Sequence, residues 1–426
     1  MEATVKKWSL KPGGDRVLWT IVVILAIVSL LVVYSSTGAS VYSSSGADGS
    51  HFAIFLRQLM IVMMGLVVVY AVHKINYQLY GRVVWSAYAL ALVFTILVYF
   101  IGEASDLADK APRWIRIPII NFTFQPSDFL KVATVMVVAR ELARRQKVID
   151  RTALFPPFTP KKWRANKDSM KILTGTTMPL LLPIVLSCAV IFPTNLSTAL
   201  ILFMTCFVML FIGRVKVRDL MKFALILMIC AGLGLGFLYA IGKPPERMDT
   251  WVSRVEAFFG FGEKAEDADY NYQIEQAKIA IASGGISGRG AGESIQRENL
   301  PLAESDYAYA FIVEEYGAIG GLVVLLLYLW IFFRAILIFR KCGTAFPSML
   351  VLGLGLLITL QAIANMMVST NLAPSTGLTL PLISQGGSSE LFLSLALGMM
   401  LGVSRQVEEQ TLDKPKDESL LETGTK

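Results

Sequence analysis

"NLPLAESDYAYAFIVEEYG", residues 299–317, decides how the chain is read. Glu304 and Asp306 stand just before an apolar run, and Glu314 and Glu315 lie inside it. The run continues through "AIGGLVVLLLYLWIFF" to position 333, longer than the roughly 20 residues that cross a bilayer. Acids at the mouth of a membrane helix are costly unless they hold the fold together or carry chemistry.

Working outward, the same pattern recurs. Of 426 residues, 54% are hydrophobic and only 17% charged, against about 25% charged in soluble domains. Ten apolar spans are predicted: 18–35, 52–73, 83–101, 127–141, 173–192, 197–213, 223–242, 307–333, 347–368 and 388–404. The expected fold is an all-α polytopic membrane protein. Its membrane domain covers 18–404, with a cytoplasmic tail at 1–17 and another at 405–426. The first span follows Lys6, Lys7, Lys11 and Arg16 like a signal peptide, but its length and the spans behind it mark a retained anchor.

Loop charges test this topology through the positive-inside rule. With the N-terminus inside, positions 140–171 carry ten basic residues and three acidic ones, most of them in the inner loop 142–172. The inner loop 214–222 adds Arg214, Lys216, Arg218 and Lys222, and 334–341 adds Arg334, Arg340 and Lys341. The long outer loop 243–306, between spans seven and eight, holds twelve acids against seven bases. Both termini are therefore expected in the cytoplasm. The net charge of +7 belongs to this topology, so no nucleic-acid partner is implied.

Cysteines are sparse. Cys188, Cys206 and Cys230 sit in apolar spans, Cys342 in a basic loop, and His51 and His73 are far apart, which argues against a disulfide framework or a zinc site.

Several outer stretches carry chemistry-bearing residues. "APRWIRI", residues 111–117, flanks Trp114 with Arg113 and Arg116: a snorkelling aromatic belt, or a contact to phosphates or sugars. "FQPSDFLKVA", residues 124–133, places Asp128 and Lys131 on one helix face, as a packing ion pair or as substrate ligands. "SGGISGRGAG", residues 283–292, lacks a preceding strand, so it reads as a tight turn bringing backbone close to something. Its amides, with Arg289, could cradle a diphosphate. The preceding helical pattern suits the membrane surface. Residues 371–392 pack prolines and glycines between two spans, as a re-entrant or cavity-lining loop would. Asp306 itself fits either a helix cap or a general base.

Together these stretches resemble the SEDS family, the FtsW- and RodA-type peptidoglycan glycosyltransferases. "PRWIRI", "FQPSDFLK", "PTNLSTAL", "IASGGISGRGAGES", "LPLAESDYAYAFIVEEYG" and "GLTLPLISQGGSS" occur in the family's order over nearly the whole membrane domain. "GLTLPLIS" is closer to the division (FtsW) branch than to the elongation branch. The resemblance implies polymerisation of lipid II at the outer face of a bacterial cytoplasmic (inner) membrane. Asp306 matches the family's required aspartate. Asp128, Lys131, Glu314 and Glu315 match its other charged positions, and Ser388 and Ser389 end the last motif. Class B penicillin-binding transpeptidases and divisome proteins are the implied partners.

The sequence departs from the family at Asn195, where aspartate is common, at Ser197, Glu304, Ser305 and Gln385, and by the added charge of Glu390. The implied chemistry is inverting glycosyl transfer, with Asp306 accepting a proton from a sugar hydroxyl. Arg113, Arg116, Lys131 and Arg289 would neutralise the diphosphate leaving group. No tightly bound cofactor is expected, although Mg²⁺ or Mn²⁺, with Asp306 as a ligand, could assist. A lipid II flippase, an elongation-type polymerase and a scaffold that recruits a transpeptidase stay open as alternatives.

Overall fold

The computed structural model describes residues 13–37, 48–102, 113–117, 122–149, 154–155, 173–242, 248–259, 268–296, 306–385 and 387–412. Glu304, Ser305, most of the basic loop and most of both tails lie outside the described residues.

Each predicted span falls on a helix. In chain order these are α1 (Arg16–Thr37), α2 (Asp48–His73), α3 (Tyr77–Ile101), α4 (Pro126–Ile149), α5 (Met178–Ile191, entered through a π-helical turn at Leu173–Thr177), α6 (Leu196–Ile212) and α7 (Val217–Ala240). Two shorter helices follow, α8 (Met248–Phe259) and α9 (Ala268–Gly284), and then α10 (Ala308–Lys341), α11 (Ala345–Ser369) and α12 (Ser388–Leu412). Eight of the ten are long and apolar enough to cross a membrane; α6 is shorter, and α4 carries more charge. One addition to the all-α expectation is a hairpin, β1 (Ile115–Ile117) antiparallel to β2 (Phe122–Phe124), with Ile115 opposite Phe124.

The centre is α11, flanked by α4, α6, α10 and α12, while α2 packs along α12. Lipid is as apolar as leucine, so membrane helices associate through close packing rather than water exclusion. Small residues at the crossings provide it. A Cβ on Gly353 of α11 would lie 2.5 Å from Met209 Sδ, and one on Gly398 of α12 would lie 2.8 Å from Val72 Cβ. By contrast α7 leans on α6 and leaves nearly all its apolar surface uncovered, surface suited to lipid.

One end of the bundle is tied by charge. Asp15 caps α1 by accepting from the amides of Val17 and Leu18, both at 3.0 Å, and pairs with Arg334 of α10. The Gly14 amide donates to Glu408 of α12 at 3.1 Å. At the opposite end α9 buries Ala277 and Ala280 against Tyr307, Ala310 and Val368, so its partners are α10 and α11.

Helix α10 is broken at Gly317, whose backbone (φ 71°, ψ −176°) leaves the helical region. In an unbroken helix the amides of 318 and 319 would bond to the carbonyls of 314 and 315. Here Ala318 N donates to Gly285 O (2.9 Å) and Ile319 N to Ile286 O (3.3 Å). The two vacated carbonyls accept from Arg289 N (3.1 Å, on Glu314 O) and Gly290 N (3.0 Å, on Glu315 O). The glycine-rich segment is thus spliced into the helix and satisfies these four backbone groups beside the break, as burial requires.

Candidate functional site

Asp306 stands at the mouth of α10, one residue before the N-cap position Tyr307. Tyr307 makes no side-chain cap; the backbone turns there, and Phe311 N bonds to Tyr307 O. The turn is held from α11. Asn365 Nδ2 donates to Asp306 O (2.8 Å) and to Leu378 O (2.6 Å), tying the mouth of α10 to the irregular loop before α12.

Gly377 marks where the charged groups meet. A Cβ built there would lie 3.5 Å from Asp306 Oδ2 and 3.9 Å from Arg113 Nη1. With φ at +62° the position also disfavours other residues, so the loop backbone comes close to both groups. Arg113 is anchored by donation from Nε to Thr194 O at 3.0 Å. Burial lowers its guanidinium pKa to about 10; the nearby Arg254 acts in the same direction and Asp306 opposes it. Arg113 therefore stays cationic at neutral pH despite unfavourable surroundings.

Arg254 was not anticipated. It comes from α8 and donates from Nη1 to Ser375 O at 3.3 Å. Trp251, one turn earlier, packs its ring on Phe192 at the end of α5 (centroids 5.0 Å apart). A cationic residue three positions from a tryptophan in the long loop 243–306 was the available signal, but seven bases in that loop gave no reason to choose one.

One turn deeper on α11, Gln361 repeats the role of Asn365. It donates to Thr379 O (3.2 Å) and accepts from Lys131 Nζ (3.0 Å). Lys131 pairs with Asp128 at 2.8 Å, both side chains 5% exposed, as their spacing predicts. The pair thus connects to the loop that borders Asp306. At the start of α12, Ser388 Oγ accepts from Gln125 N (2.9 Å), Ser389 is buried, and buried Glu390 accepts from Gln58 Nε2 (3.3 Å). Ser29 completes the link, accepting from Gln58 Nε2 (3.0 Å) and donating to Ile383 O (3.0 Å).

Other expected site residues lie elsewhere. Glu314 is fully buried and accepts from Ser283, Ser294 and the amides of Ile295 (3.0 Å) and Gln296 (3.2 Å). Glu315 accepts from Ser35 and from Gly292 N (3.0 Å). These carboxylates clamp the spliced loop onto the broken helix. The loop amides expected to cradle a diphosphate are largely engaged this way. Arg289 and Arg116 are exposed on the loop and on the hairpin. Asn195, where the family commonly carries aspartate, caps α6 by accepting from Thr198 N at 3.1 Å, which either residue does well.

Among the described residues no three His, Cys, Asp or Glu side chains gather to hold a metal.

Eight helices long and apolar enough to cross a membrane, packed in one bundle, define a multi-pass membrane protein. The profile of the FtsW/RodA/SpoVE family, described as cell cycle protein, matches residues 15–409, and the chain belongs to that family. It is 29% identical to stage V sporulation protein E of Bacillus subtilis, over 93% of this chain and 98% of that relative. It is also 29% identical to the probable peptidoglycan glycosyltransferase FtsW of Haemophilus influenzae, over 92% and 90%. Its fold resembles a chain from a structure titled for the coordination of polymerization and crosslinking by a peptidoglycan synthase complex (TM-score 0.66, 19% identity, 92% and 98% covered). It also resembles the rod shape determining protein RodA of Thermus thermophilus (TM-score 0.57, 19% identity, 92% and 97% covered).

Proposed function

We propose that the chain is a peptidoglycan glycosyltransferase that polymerises lipid II at the outer face of the bacterial cytoplasmic membrane, in the service of cell division. The observation that carries this reading is the meeting of Asp306 Oδ2 and Arg113 Nη1 over Gly377, within the family's framework. Asp306 takes the proton of an acceptor sugar hydroxyl as its oxygen attacks the anomeric carbon of the donor. The bond to the lipid diphosphate breaks, and the leaving oxygen departs with the electron pair, its charge met by Arg113. No step is routed through a metal ion.

The positive-inside pattern supports both termini in the cytoplasm and the site outside. A class B penicillin-binding transpeptidase is the partner we propose, because a relative in fold belongs to a synthase complex that couples polymerisation to crosslinking.

The test is to give the purified chain labelled lipid II. Wild type should lengthen glycan, and Asp306→Asn and Asp306→Ala should not. Polymerisation by both variants removes Asp306 as base. Movement of lipid II across proteoliposomes without glycan would favour a flippase.

A further inference from the structure

The polymerase reading uses Arg113 and Asp306 and leaves Arg254 without a task. Its position is unfavourable on its own terms. It brings a second positive charge near Arg113, where it opposes the guanidinium that Asp306 favours. Like charges in a partly desolvated site repel unless an anion joins them.

Polar atoms nearby point to where that anion sits. Arg254 Nε is buried with no hydrogen-bond acceptor among the described residues. The hydroxyl of Thr376 is likewise buried without a partner. Thr376 stands between Ser375, whose carbonyl holds Arg254, and Gly377, which borders Asp306 and Arg113. A planar guanidinium with an unused Nε and a neighbouring hydroxyl donor matches the oxygens of a phosphate group. Buried polar groups left unpaired are costly, so their clustering in one place calls for a ligand.

We propose that Arg254, with Thr376, forms a second anion-binding arm that grips the diphosphate of the polyprenyl-linked substrate from the side opposite Arg113. This rests on the polymerase reading for the identity of the substrate. Because α8 carries Arg254 and docks through Trp251 on Phe192, bound diphosphate also pins that outer helix over the site. The arm holds the leaving group while Asp306 handles the incoming hydroxyl. Arg254 is thus a binding residue and Asp306 the base.

Undecaprenyl diphosphate, which carries no sugar and cannot turn over, is the probe. Its affinity for the detergent-purified full chain is measured for wild type, Arg254→Gln, Arg254→Lys and Thr376→Val. Undecaprenyl monophosphate and phosphatidylglycerol serve as competitors. Loss of a charged hydrogen-bond partner predicts roughly a 10- to 100-fold weaker affinity in Arg254→Gln. Arg254→Lys should recover part of it, and Thr376→Val should lose about tenfold or less. Phosphatidylglycerol should compete poorly. Circular dichroism and the unfolding midpoint establish that each variant is folded, and Arg254→Lys keeps the test alive if Arg254→Gln is not. Equal affinity in wild type and a folded Arg254 variant overturns the proposal, as does competition by phosphatidylglycerol as strong as by the diphosphate. If wild type makes no glycan from lipid II yet diphosphate binding depends on Arg254, the polymerase reading falls and the arm stands. If wild type makes glycan and Arg254→Gln does so with unchanged KM, the arm falls and the polymerase reading stands.

Discussion

Gly288 and Gly317 occupy each other's side-chain space. A Cβ on Gly288 would sit 2.1 Å from Glu315 O and 2.6 Å from Gly317 N, and one on Gly317 would sit 2.4 Å from Gly288 N. Both have positive φ, at 81° and 71°. The loop can be spliced into α10 only because neither residue has a side chain, and the splice orients the half-helix whose mouth carries Asp306.

Gly317→Ala and Gly288→Ala should therefore be severely destabilising, by about 3 kcal/mol or more, since backbone cannot yield to a 2.1–2.6 Å contact. Gly285→Ala makes the control. It shares the positive φ (55°) but meets nothing within 4 Å, so only the conformational cost of about 1 kcal/mol applies. Unfolding midpoints in detergent should rank Gly285→Ala well above the other two. Equal losses would show that φ alone matters.

Lys131→Met leaves Asp128 buried without its cation, at a cost of about 3–5 kcal/mol. The double variant Asp128→Asn, Lys131→Met removes the stranded charge and should regain much of that stability. Glycan synthesis should not return with it, because the Lys131 bond to Gln361 stays lost. Recovery of activity along with the midpoint would make the pair purely structural.

Asn365→Leu removes the amide that joins Asp306 O to Leu378 O. Two backbone acceptors then lose their partner, at about 1–3 kcal/mol each. Polymerisation should fall by more than the lost folded fraction, since a base displaced by about 1 Å can lose roughly 100-fold in rate. The comparison is specific activity per folded molecule against lipid II.

Asn195→Asp restores the residue common in the family and should leave the unfolding midpoint almost unchanged, because both residues cap a helix equally well. Asn195→Ala should cost about 1 kcal/mol. Its neighbour Thr194 holds Arg113, so a drop in activity in the alanine variant would come through Arg113.

The residues differ in how far they could be read before folding. The Asp128–Lys131 pair was legible because three-residue spacing brings two side chains together on any helix. Asp306 and Arg113 were legible as candidates, each lying in a charged stretch beside an apolar span. Glu314 and Glu315 were legible as buried acids, but their partners are amides and hydroxyls some 20 residues upstream and, for Glu315, Ser35 of α1. No periodicity announces such contacts. Arg254 was illegible: its role follows from where α8 docks, and one arginine among mixed loop charges carries no mark of that.

By itself the sequence determined that the chain is an all-α, multi-pass membrane protein and where its apolar helices lie, because lipid imposes an apolar length on every span. It also determined that "SGGISGRGAG" brings backbone close to something. Only the tertiary structure decided that this something is the break in α10. The tertiary structure likewise brought Asp306, Arg113, Arg254 and Gly377 together from four separate segments. The physical reason is range. Hydropathy and spacing act within one element, whereas the site is built from groups that meet only after helices far apart in the chain have packed.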